Sequence, residues 1–381
     1  MHPADPVIRD YLAAALRNDP QPWPASWHDP DTIADAAIFH GIAGLLIEQE
    51  PSIREWPSQL KDRLYEQARA QAMWEVRHRQ LLTDLLAIFH RRSIPCLIMK
   101  GTAVAYDLYK NPASRSRSDT DLLVAPEDAE KARTVLAEFG YVAGALGGVT
   151  PEFALQQAWN MKLADGGRHT IDLHWQVMNA PSLRHLLSFA ECDATSRQVP
   201  RLASQARTMD RVRLLIHTCL HRAMQWNAPF FVGGRTFFEP GRLIWSMDIH
   251  LLASALEKEE WPALCSLSRA MGVSRPCLES LEAARASLGT EIDESARHSL
   301  YEVARAERPS AYFFRSHALS RAWQDVRSMA KWSTRLRYML SRVVTTEPFI
   351  RGKYPHLADK PLVILYGRRI RDLVRRRPDA S

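Results

Sequence analysis

Apolar residues recur at helical spacing through the first 93 positions. Asp31 to Glu50 ("DTIADAAIFHGIAGLLIEQE") opens with an aspartate suited to an N-cap, and its pattern predicts a helix. Pro57 to Ser93 contains no internal proline or glycine. There Leu60, Leu64, Ala68, Ala72, Val76, Leu81, Leu85 and Ile88 form one stripe, which predicts a single long helix. The texture changes at Ile94. "IPCLIMKG" is a short apolar run closed by glycine, "SDTDLLV" is another, and the helical segment "TAVAYDLYKN" lies between them. "PEDAEKARTVLAEFGY" has the proline and acids of a helix opening, and "GRHTIDLHWQV" (Gly166 to Val177) reads as a third strand.

From about Leu183 the helical pattern returns. Met209 to Trp226 and Arg242 to Glu260 are amphipathic, and more helices fill Pro262 to Val344. Between the first two, "NAPFFVGGRTFFEPG" reads as a loop, either a cover for a substrate or a plain connector. "TTEPFIRGKYPHLADKPLVILYG" reads as irregular before the basic end. The pattern thus predicts three regions: helical 1–93, an α/β unit over 94–182, and helical 183–381 with a basic tail.

Composition narrows the class. The chain is 46% hydrophobic and 24% charged over 381 residues, as in ordinary soluble proteins. Its start has no basic segment followed by an apolar one, so no signal peptide is expected. No apolar run approaches the roughly 20 residues that span a bilayer. The five cysteines are scattered without a CxxC pair, which argues against a zinc site or disulfide framework and points to the cytoplasm. The net charge is +7, but the last fifteen residues alone carry six arginines and two aspartates. The basicity therefore belongs mostly to the tail. A solvated helix end explains it, as would RNA, lipid headgroups or another acidic partner.

Two carboxylates stand at the start of an apolar run. On a strand, Asp119 and Asp121 share one face while Thr120, Leu122 and Val124 take the other. Anions held side by side repel, and burying one unpaired is costly. The arrangement becomes favourable with a divalent cation between them, and oxygen ligands suit Mg²⁺ or Mn²⁺. An isolated Asp-x-Asp also occurs as turn chemistry. In "HTIDLHW", Asp172 falls on the polar face, as a third metal ligand, a solvated strand position or a partner for a nearby arginine. Three such carboxylates can hold two ions for phosphoryl-type transfer. Lys100-Gly101-Thr102 ends one run and opens a helix, where glycine lets a phosphate approach and the helix N-terminus favours an anion. His174 reads as a packing or second-shell group. His217 and His221, four apart around Cys219, read as helix-packing residues.

The stretch "LIMKGTAVAYDLYKNPASRSRSDTDLLV" resembles the bacterial family of largely uncharacterised nucleotidyltransferases, within the DNA polymerase beta-type superfamily. That family's pattern of Leu-Lys-Gly, Leu-Tyr, Pro, Arg and Asp-Ile-Asp-Leu-Leu-Val puts Lys100, Gly101, Tyr109, Pro112, Arg115, Asp119 and Asp121 in register. "IDLHW" is similar to its later strand and makes Asp172 the third carboxylate. "HTCLH" and "RLIWSMDIHLL" resemble its helical C-terminal portion. Two departures stand out. Gly101-Thr102 replaces Gly-Gly or Gly-Ser, and Thr120 replaces an apolar residue.

The resemblance implies an α+β fold, a small mixed sheet with helices flanked by helical regions. It implies transfer of a nucleoside monophosphate from an NTP to an acceptor, with Mg²⁺ or Mn²⁺ as cofactor and pyrophosphate leaving. Asp119 and Asp121 would bind both ions, and Asp172 would bind the catalytic ion and help deprotonate the acceptor. Gly101 and Thr102 would hold the β- and γ-phosphates. Lys100 and Arg115 or Arg117 would neutralise pyrophosphate, surface charge being the other reading of the two arginines. Related proteins look to be associated with natural product biosynthesis, so a small molecule, peptide or protein is the expected acceptor. RNA is the alternative, as is a non-catalytic binding module that retains the fold.

Overall fold

The computed structural model describes residues 5–19, 21–24, 26–144, 146, 150–226, 230–232, 235–237, 241–304, 307, 310–314 and 318–375. The helices that matter below are α1 (Pro30–His40), α2 (Ala43–Glu48), α3 (Ser58–Arg91), α4 (Lys100–Asp107), α5 (Ala129–Phe139), α6 (Arg211–Met224), α7 (Leu243–Ser254), α8 (Ala318–Arg327), α9 (Trp332–Val343) and α10 (Leu362–Arg375). The strands are β1 (Cys96–Met99), β2 (Asp119–Val124), β3 (Val142–Ala143), β4 (Gln156–Lys162), β5 (Arg168–His174), β6 (Arg197–Gln198) and β7 (Arg207–Thr208). Their pairings are both parallel and antiparallel, and the fold is mixed α and β.

The long helix α3 and strands β1, β2 and β5 form where the pattern places them. The expected helix over Asp31 to Glu50 is instead broken. Gly41 closes α1 with φ 72°, a left-handed backbone that glycine adopts without a Cβ clash, and α2 begins afresh at Ala43. The cap of α1 is Asp29, whose carboxylate accepts from the Asp31 backbone N–H at 3.1 Å. Strand β4 was not legible. "QQAWNMK" is polar at most positions, and only Trp159 is buried, yet β4 pairs antiparallel along all of β5. The helical reading from Leu183 misses β6 and β7. Ile98 of β1 pairs with Thr208 of β7, and the Thr208 hydroxyl donates to the Ile98 carbonyl at 2.8 Å. Part of the predicted 227–241 loop is an antiparallel ribbon, Phe230–Val232 against Arg235–Phe237, and 227–229, 233–234 and 238–240 lie outside the described residues. The segment read as irregular after Val344 holds two helices, Glu347–Lys353 and the start of α10.

The contacts divide the chain into two units. One comprises Met1–Leu86, Ile98–Ser118 and Ser196–Phe313; the other comprises Ala87–Leu97, Asp119–Thr195 and Phe314–Ser381. The first is mostly helical, with a core that includes Leu60, Leu64, Val104, Leu215 and Leu252, all fully buried. The second orders its strands β3-β4-β5-β2. One face of β2 and β5 is fully buried through Thr120, Leu122, Val124, Ile171 and Leu173, each apolar side chain worth roughly 1.5–3 kcal/mol of burial. That burial fixes the register and so fixes which residues face the other way. Among the described residues, no helix is long and apolar enough to cross a membrane.

Candidate metal and nucleotide site

The register of β2 on β5 builds the site. The strands are parallel, with Asp119 opposite Thr170, Asp121 opposite Asp172, and Leu123 opposite His174. Neighbouring strands lie about 4.8 Å apart, so partners in register bring their side chains together on one face. His174 follows Asp172 by two residues and shares its face. The ligating atoms of Asp121, Asp172 and His174 all lie within 4.8 Å of one another. His174 Nε2 is 2.9 Å from Asp121 Oδ1, with the imidazole fully buried and Asp121 buried beside it. Asp172 is half-buried, which leaves the cluster an approach from solvent. Asp119 is exposed at the start of β2 and is not one of the three.

Two carboxylates this close repel by roughly 4 kcal/mol at about 4 Å in an effective dielectric near 20. A cation turns that cost into a gain. The donor set of two carboxylate oxygens and one imidazole nitrogen fits a divalent ion. The His174–Asp121 contact also suits a supporting role, in which an imidazole N–H orients a ligating carboxylate. Sequence pattern leaned towards packing for His174. Its spacing, two residues after Asp172 on an alternating strand, already puts it on the polar face, and the register of β2 on β5 brings it to Asp121. His169, on the opposite face of β5, shows the contrasting environment. It meets the Tyr141 hydroxyl at 2.7 Å, and burial pulls its pKa down to about 4.

Lys100, Gly101 and Thr102 form the first turn of α4. Lys100 has φ 51°, a left-handed conformation that costs a residue with a Cβ of order 1 kcal/mol or more. Gly101 is needed for a reason the sequence did not reveal. A Cβ there would fall 2.3 Å from Nη1 of Arg115, so the guanidinium lies directly on the α4 backbone. Thr102 is buried.

Neither Arg115 nor Arg117 is a surface charge. Arg115 grips Asp248 of α7 through Nε at 3.2 Å and Nη2 at 2.5 Å, and Asp248 also accepts from the Tyr109 hydroxyl at 2.7 Å. Burial and the Asp248 charge hold the Tyr109 phenol well above its ordinary pKa. Arg117 donates to Glu75 of α3 and to the carbonyls of Pro112 and Arg115 at 2.8 and 3.1 Å. Its guanidinium sits 5.4 Å from the Trp74 ring centre and 5.5 Å from that of Tyr106, whose hydroxyl donates to Glu75. Burial lowers the Arg117 pKa against the pull of Glu75. The two pairs pin the segment before β2 to α3 and α7. Glu75, Tyr106 and Asp248 carried no local sequence signal, because their partners lie 42, 31 and 133 positions away.

His217 and Cys219 are buried in α6, and His221 meets the Trp245 ring edge-on at 5.7 Å. Among the described residues these histidines belong to no metal-capable group.

The profile of a family described as uncharacterised nucleotidyltransferase matches residues 26–289. No curated protein matches. Among solved structures, an antigenic nucleotidyltransferase-like protein from Paracoccidioides brasiliensis aligns at 15% identity over 58% of this chain and 96% of that one, with a TM-score of 0.36. The profile spans most of the chain and includes Lys100 to Asp121, Asp172 and His174. This chain therefore belongs to the uncharacterised nucleotidyltransferase family.

Proposed function

We propose that the protein moves a nucleoside monophosphate from an NTP to a hydroxyl, or similar nucleophile, of a small molecule, peptide natural product or protein. The register that sets Asp121 beside Asp172, with His174 Nε2 2.9 Å from Asp121, carries this reading. In the reaction an acceptor oxygen attacks the α-phosphorus, the bond to the β-phosphate oxygen breaks, and pyrophosphate leaves. The acceptor's proton passes to Asp172, the half-buried carboxylate, and on to solvent. Asp121 and Asp172 would hold the metal, with Asp119 at the exposed start of β2 as a further carboxylate available to it, and His174 would orient Asp121. A bound Mg²⁺ or Mn²⁺ supplies charge neutralisation at the reacting phosphate.

Lys100 takes the β- and γ-phosphates as a point charge at the start of α4; Gly101 and Thr102 reach them only if the Arg115 guanidinium moves off the Gly101 backbone and Thr102 becomes accessible. Arg115 and Arg117 reach phosphate only by exchanging Asp248 and Glu75 for it. Their part in this reading is to position the segment that leads into β2.

The test is Mg²⁺-dependent incorporation of label from α-labelled NTPs, with cell extract fractionated into metabolites, peptides, proteins and RNA as acceptors. Asp121→Asn should lower transfer by about 10³-fold or more while keeping the wild-type melting curve. Full turnover in that variant would remove the metal assignment. Label appearing in the RNA fraction alone would move the acceptor class to nucleic acid.

A further inference from the structure

We propose that the C-terminal helices α8, α9 and α10 seat the protein on an anionic phospholipid surface. The first observation is charge. Residues 318–375 hold thirteen lysines and arginines against four aspartates and glutamates, a net +9. The whole chain is +7, so everything outside this segment nets −2. The cationic character of the protein is thus confined to one segment.

The second observation is where the apolar side chains point. Helix α9 already has a core face. Tyr338 and Ser341 are buried, and Tyr338 packs with Val326, Met329 and Phe153. Its other side presents Trp332, Leu336 and Leu340, spaced four apart, to solvent at 74, 55 and 54% exposure, and Val344, just past the helix end, is 54% exposed. Helix α10 repeats the arrangement, with Leu365 fully buried and Val363 75% exposed. Trp323 of α8 is 58% exposed beside the buried Asp325 and Val326. Ten of the seventeen large exposed hydrophobics among the described residues fall between Leu319 and Ile370.

Cations mix with these side chains, the Arg335 guanidinium lying 5.0 Å from the Trp332 ring centre and Arg337 standing largely exposed on the same helix, and such a helix surface suits a lipid headgroup layer. Each alternative occupant fits only half of the pattern. The phosphates of a nucleic acid would engage the arginines but leave Leu336, Leu340 and Val344 in water. A second copy of this face would bury the aliphatic residues while opposing two segments of net +9. The face is also fixed to its own unit. The Asp325 carboxylate accepts from the Ser182 hydroxyl at 2.7 Å, and Arg337 pairs with Glu152 at 2.8 Å.

The experiment is flotation of the full chain with vesicles of phosphatidylcholine alone or with about 30% phosphatidylglycerol. The protein should float with the anionic vesicles at low salt, and binding should weaken as salt approaches about 0.5 M. The double variant Trp332→Ser/Leu340→Ser should bind about tenfold more weakly or worse, with an unchanged melting curve. Trp226→Ser, at an exposed tryptophan outside the segment, should float like wild type. The proposal fails if the protein stays unbound at low salt, or if the double variant floats as well as wild type. It also fails if sedimentation shows a wild-type dimer that the double variant dissolves. Tighter binding of duplex RNA at the same salt, indifferent to the double substitution, would assign the cations to nucleic acid instead.

Discussion

Asp248 beside Arg115 and Asp121 beside Asp172 are both buried carboxylates, and they differ in what each one meets. Asp248 receives a guanidinium fork and a phenol, so its charge is matched by groups the chain itself supplies. Asp121 meets an imidazole and, across the strand register, another carboxylate. The first arrangement is a fastening, complete as built. The second brings like charges together, which is favourable when a cation joins them. The contrast teaches that buried charge alone does not mark a working site. The proposed metal site rests instead on like charges converging on one strand face.

The largest effect that would break this comparison is expected at the fastening. Asp248→Ala leaves Arg115 buried without its carboxylate, and a loss of about 3–5 kcal/mol should appear as a lower denaturant midpoint. Asp121→Asn should cost activity and little stability. If Asp248→Ala proved as stable as wild type, the network would not be structural.

Gly101→Ala sharpens the same point at smaller cost. The added methyl meets the Arg115 guanidinium at 2.3 Å and should destabilise by about 1–3 kcal/mol. A fold unaffected by Gly101→Ala would mean that the arginine is free to withdraw, and so free to serve phosphate.

An effect confined to low pH concerns His169 of β5. His169, with its folded pKa near 4 against an ordinary 6.5, is neutral in the native state. Below about pH 6.5 the unfolded chain binds this proton and the folded chain does not. The contribution of His169 to stability should therefore fall by up to about 1.4 kcal/mol per unit between pH 6.5 and 4, and be constant above. His169→Phe should flatten that slope in a denaturation series across pH; an unchanged slope would assign it to other groups.

What the sequence disclosed follows the range of the interactions. Alternation within β2 and β5 is local, so the faces of Asp121 and Asp172 were legible from spacing alone. Gly101 was legible as a point of close approach, but the group that approaches it includes Arg115, fourteen positions on. The arginines stood out by position in the motif, whereas their partners Asp248 and Glu75 were hidden by distance along the chain. Strand β4 escaped because its stability comes from the ladder with β5 and not from an apolar alternation of its own. The break at Gly41 escaped because apolar spacing continues across it while the backbone turns left-handed. In α9 and α10 the hydrophobic period is real but occupies two faces, and only burial tells the core face from the exposed one.

The most direct test of the central claim is equilibrium binding of Mn²⁺ to the full chain, followed by the electron paramagnetic resonance signal of the free ion. The expected result is a site in the wild type that Asp172→Asn weakens by about tenfold to a hundredfold. Equal Mn²⁺ binding by wild type and Asp172→Asn would contradict it.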